Sequence, residues 1–157
     1  MNKILRFSMM AVLALVANIG FAQTTILWQE DFSSYNADDV PNGGTYKYAC
    51  EVEGTKVYKE KLAGGDAPEL LVSKQGGSFS ATVALNGVSG QLTLTYKAKN
   101  NIKITVENAT AGDVVKVGND CTCPVTVAAG TNSITIKVSN TYSSNVRLDN
   151  IKLFQGV

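Results

Sequence analysis

The chain contains no histidine. That absence excludes Ser-His-Asp and Cys-His nucleophiles, His-ligated zinc and histidine acid/base catalysis. Charge is also sparse, at 17% of 157 residues, and 14 basic side chains nearly balance 13 acidic ones. No basic stripe of the kind that binds nucleic acid follows from such a composition. Prolines number only 3, and cysteines 3. Beyond the first two dozen residues no apolar run reaches the ~20 residues needed to cross a bilayer. No serine-nucleophile elbow, phosphate-binding glycine loop or paired zinc motif is present, and Gly43-Gly44 and Gly76-Gly77 read as turns.

The first 22 residues read as a signal peptide. Lys3 and Arg6 form a positive start, Met9 to Ile19 a short apolar core, and Gly20-Phe21-Ala22 a small-residue cleavage site before Gln23. A secreted protein spanning residues 23–157 as one domain is therefore expected, in the periplasm or outside the cell. Without Lys3 and Arg6 it carries 12 basic and 13 acidic residues.

Helical periodicity is missing from that domain, and a period of two recurs. Leu92, Leu94 and Tyr96 alternate with Thr93, Thr95 and Lys97. Ile102, Ile104 and Val106, and then Ile134, Ile136 and Val138, repeat the pattern against Thr and Lys. Each such segment suits a strand with one face on a core and one in water. Asn, Gly and Asp clusters punctuate the chain about every ten residues. Strands are predicted near 26–32, 46–52, 55–62, 69–73, 78–85, 91–99, 102–107, 113–118, 123–127, 133–139 and 146–154. Ala67-Pro68 must lie at a strand start or an edge. Regular strands without intervening helices predict an all-β fold, a two-sheet antiparallel β-sandwich or jelly roll.

An exported chain can hold disulfides. Cys121 and Cys123, two residues apart, share a strand face, so either could meet Cys50. A bridge would close a loop of about 70 residues and stabilise by roughly 4 kcal/mol. Three buried free thiols are the alternative, and the spacing leaves both open.

Several aromatic and acidic residues are candidates for function. Tyr46 and Tyr48 share a face of one predicted strand, with Tyr58 on its hairpin partner across Glu53-Gly54; the three form either a sugar platform or a plain cross-strand aromatic cluster. Tyr142, flanked by Asn140 and Asn145, suits an exposed loop aromatic and is the foremost ligand-binding candidate. Trp28 is assigned to the core. Glu51 and Glu53 could mimic a glycosidase pair, but they lie on one strand beside a turn instead of facing each other across a cleft. A non-enzymatic role is expected.

The opening Ile26-Leu27-Trp28-Gln29-Glu30-Asp31-Phe32 and the closing Asn145-Val146-Arg147-Leu148-Asp149-Asn150-Ile151-Lys152-Leu153 together resemble the terminal strands of galactose-binding-like jelly rolls. That group includes carbohydrate-binding modules and the cleaved-adhesin or MAM-like domains of secreted bacterial proteins. The resemblance implies adjacent terminal strands and a structural calcium near their ends, held by oxygen ligands. Glu30 or Asp31 and Asp149 fit that pattern, with Asp38 and Asp39 completing a shell. It further implies a secreted, non-catalytic module binding a carbohydrate or a glycosylated surface. A structural or protein-interaction role, as an adhesin or accessory component, is the alternative.

Overall fold

A computed structural model describes residues 23–156; the expected signal peptide lies outside the described residues. Twelve strands run through them: β1 (Thr25–Glu30), β2 (Ala49–Glu51), β3 (Lys56–Tyr58), β4 (Glu69–Val72), β5 (Ser78–Ala84), β6 (Gly90–Lys99), β7 (Lys103–Glu107), β8 (Thr110–Ala111), β9 (Val115–Val117), β10 (Asp120–Val127), β11 (Ser133–Ser139) and β12 (Val146–Gln155). They form two antiparallel sheets, a β-sandwich. The larger has the order β3-β4-β12-β6-β10-β8, with β1 beside β12 and β9 beside β10; the smaller is β2-β5-β11-β7. Among the described residues no helix is long and apolar enough to cross a membrane.

The two-residue period directs each strand. On β6 Leu92, Leu94, Tyr96 and Ala98 are buried while the residues between them are more exposed. On β11 Ile134, Ile136 and Val138 do the same from the facing sheet. Their inner faces fill one core whose exclusion of water supplies the main driving force. Pro68 immediately precedes β4, which satisfies the strand-start condition.

β12 organises the larger sheet. Val146–Leu148 pairs with β4, Ile151–Gln155 pairs with β1, and the opposite edge pairs with β6. β4 and β1 therefore share one edge of β12, and a seam separates them at Asp149–Asn150. There the register against β6 shifts, and Asn150 takes a φ of 48°. Burial moves from Val146 and Leu148 to Ile151 and Leu153, a change of parity that a β-bulge produces.

The hairpin expected between 46–52 and 55–62 does not form. β2 pairs with β5 in the smaller sheet, whereas β3 pairs with β4 in the larger. Val52 and Gly54, at φ 72° and 92°, turn the chain from one sheet to the other. Tyr46 and Tyr48 lie in the turns before β2, where Tyr48 pairs with Gly43 and the Tyr46 carbonyl accepts from Thr82 N. Alternation identifies a strand's buried face but carries no information about its partner.

Candidate functional site

The loop joining β11 to β12 is built around Asn140. Its side chain is fully buried, and its Nδ2 donates to the carbonyls of Val72 (3.0 Å) and Ser144 (2.8 Å). Its Oδ1 accepts from Tyr142 N at 2.8 Å, an Asx turn. Gln75 N donates to the Tyr142 carbonyl at 3.0 Å, and Lys74 N to Asn145 Oδ1 at 3.0 Å. This backbone anchoring leaves Tyr142 exposed, at 42%, on a fixed loop.

Tyr142 and Ser144 line an open groove of about 600 Å³ with Lys99, Asn100, Asn101, Lys116 and Asn119. That volume lies within the ~300–1,000 Å³ typical of ligand pockets. A smaller recess of about 290 Å³ shares Asn101 and Lys116 with it and continues over Ile102, Val114 and Tyr96. Asn100-Asn101 follows β6, and Asn119 sits in the turn between β9 and β10. Turn chemistry is what makes these asparagines stand out in the sequence; only folding brings both turns beside Tyr142. The two lysines carry no sequence signal at all.

The other tyrosines occupy different places. Tyr48 is 7% exposed; it accepts from Trp28 Nε1 and donates to Glu30 Oε2, both at 2.8 Å. Burial pushes its phenol far above the usual range. Tyr46 packs on Trp28 and Tyr48, with centroid separations of 6.1 and 5.9 Å. Tyr58 lies in the opposite sheet beneath the Arg147 guanidinium, 4.5 Å from its ring centroid. The three make no common platform. Glu51 accepts from Ser78 and pairs with Lys137 at 3.0 Å, the arrangement of a surface ion pair.

The terminal strands do lie side by side and bring Asp31 near Asp149, yet the five oxygen ligands suggested for calcium do not gather into one group. Glu30 accepts from Phe32 N and Tyr48 Oη, and Asp31 from Ser33 N and Oγ. Asp38 pairs with Lys56 at 2.6 Å, and Asp39 accepts from Asn36 N. Asp149, fully buried at the β-seam, accepts from Asn150 N through Oδ1, while its Oδ2 has no partner. Such an oxygen could serve a cation, but among the described residues no three Asp, Glu or Cys side chains form a group that could hold one. The residues thus do not fit a closed calcium shell.

The surroundings of Asp149 are nonetheless unusual. The backbone of Gly65 packs over Oδ2, where a Cβ would collide with it. Desolvation, the main cause, raises the Asp149 pKa to about 7, and the nearby carboxylates of Glu69, Asp31 and Asp66 add to the rise. Fully buried Glu69 accepts from Ala63 N and lies 3.4 Å from Arg147 Nε. Glu69, Asp66 and Gly65 are distant from both terminal strands in sequence, so the terminal motifs did not reveal them.

All three cysteines are free thiols. Cys121 and Cys123 share the buried face of β10, as their spacing predicts, but Cys50 stands on β2 in the other sheet, with its Sγ 3.3 Å from the Pro41 carbonyl. The bridge from Cys50 is therefore not formed. Burial pushes the Cys50 thiol up to about 11 and raises the other two as well, which lowers their thiolate fraction and reactivity. Thiol titration of the purified protein is expected to count three in denaturant, with Cys121 and Cys123 protected in the native state. A count of one would establish a bridge.

Comparison with known protein families, characterised proteins and solved structures finds no match for this chain.

Proposed function

We propose that this protein is an exported, non-catalytic carbohydrate-binding module of the galactose-binding-like jelly-roll kind. The observation that carries the reading is the Tyr142 groove. An aromatic face is held on an anchored loop, with the amides of Asn100, Asn101 and Asn119 around it. Sugar rings present apolar C–H faces and a rim of hydroxyl groups; one aromatic face with several donors and acceptors complements both. The side-by-side terminal strands support the family resemblance.

A glycan panel tests the reading. Saturable binding is expected, and Tyr142→Ala should weaken it by about tenfold or more, as loss of a central aromatic contact does. Tyr58→Ala should leave affinity unchanged, because that ring lies under Arg147 and does not line the groove. A blank panel with folded protein would overturn the reading.

One observation favours a protein partner instead. The short edge strand β9 exposes Val115 at 63% and Val117 at 73%, next to Val114 at 38%. An apolar sheet edge of this sort can accept a strand from another chain.

A further inference from the structure

The groove at Tyr142 has a charge character that the carbohydrate reading does not require. Lys99 and Lys116 both line it, and no carboxylate does. The ion pairs among the described residues engage Lys56, Lys97, Lys137 and Arg147, leaving these two without an acidic partner. Asp120, the acid adjoining Asn119 in the β9–β10 turn, is taken by Lys97 at 2.6 Å.

The two ammonium groups are also differently held. Lys116 Nζ donates to the Ala98 carbonyl at 2.6 Å and lies 3.9 Å from Cys121 Sγ, so its position is fixed with N–H groups to spare. Lys99 is exposed at the end of β6 and free to adjust. The chain as a whole is close to neutral, which makes this a local cationic feature instead of part of a basic surface.

We propose that the Tyr142 groove selects an anionic glycan, one bearing carboxylate or sulfate groups, through charge-assisted hydrogen bonds from Lys99 and Lys116. This rests on the carbohydrate reading. Ammonium-to-anion bonds are stronger than neutral ones and are weakened by salt where exposed. The recess shared through Asn101 and Lys116 extends the groove beyond Tyr142 and suits a chain longer than one sugar.

Affinities for matched pairs decide it: an oligogalacturonide against its carboxyl-reduced counterpart, and dextran sulfate against dextran, at low and high salt. At least one anionic member is expected to bind about tenfold or more tightly than its neutral match at low salt. Whichever pair shows the difference identifies carboxylate or sulfate as the recognised group. Lys99→Gln should remove most of that preference and Lys99→Arg restore it, while Tyr142→Ala weakens both members of the pair. Neutral members binding as well as anionic ones, with sensitivity to Tyr142→Ala, would overturn the inference and leave the carbohydrate reading standing. Anionic binding indifferent to both Lys99→Gln and Tyr142→Ala would overturn the inference at this groove. No binding by any member, with a native melting curve, would overturn the inference, and the glycan panel then decides the carbohydrate reading.

Discussion

In metal-free buffer the protein is expected to lose stability as pH rises from about 4 to 7, and then to level off. The source is Asp149, whose carboxyl has a folded-state pKa of about 7 against an ordinary 3.8. Between those values the folded chain keeps a proton that the unfolded chain has released. Stability must then fall with increasing pH. The shift corresponds to about 4 kcal/mol as an upper bound. Asp149→Asn removes the ionisation while its Oδ1 can still accept from Asn150 N. Its amide nitrogen then takes the unpartnered position against Gly65, so the variant should be less stable than the parent at pH 4.5. That deficit should shrink or reverse by pH 8, as the parent alone acquires a buried charge. Urea unfolding at several pH values measures both proteins, and parallel profiles would refute the assignment.

The second large effect is expected at Trp28, the single tryptophan, which is 1% exposed. Trp28→Ala should cost about 3–5 kcal/mol, the range for truncating a large buried aromatic. That is a large share of the ~5–15 kcal/mol that holds a typical domain folded. Two contributions combine. The ring packs against Tyr46, Tyr48 and Phe79 at centroid distances of 6.1–6.4 Å, and its Nε1 holds the Tyr48 hydroxyl. Tyr48→Phe separates them: packing survives, but Trp28 Nε1 and Glu30 Oε2 each lose a partner. A smaller cost of about 1–3 kcal/mol is expected. Circular dichroism in denaturant reads both variants without relying on the indole. Equal costs would show that the hydrogen-bond chain from Trp28 through Tyr48 to Glu30, and not packing, dominates this end of the core.

Much of the fold was legible because strand periodicity is a local property. Leu92-Thr93-Leu94-Thr95-Tyr96 and Ile134-Thr135-Ile136-Lys137-Val138 each encode a buried face within five residues. The placement of Trp28 in the core and of Pro68 before a strand follows from equally local chemistry. Pairing is different, since it depends on residues remote in sequence. Tyr46 and Tyr48 pack on each other beside Trp28 while Tyr58 lies in the other sheet, because Val52 and Gly54 redirect the chain, which alternation cannot express.

The same division runs through the candidate sites. The sequence by itself determined an all-β chain, a core tryptophan, an exposed Tyr142 and two cysteines on one strand face. Tertiary structure alone decided what surrounds each of them. It set Cys50 in the sheet opposite Cys121 and Cys123. It paired Asp38, in the loop after β1, with Lys56 while burying Asp149 under Gly65. It also brought Lys99 and Lys116 to Tyr142 across separate turns. Local patterns report which way a side chain faces relative to its own strand. The neighbours that give a carboxylate its pKa, or a tyrosine its groove, come from sheet pairing between distant segments, whose register follows from packing the whole core.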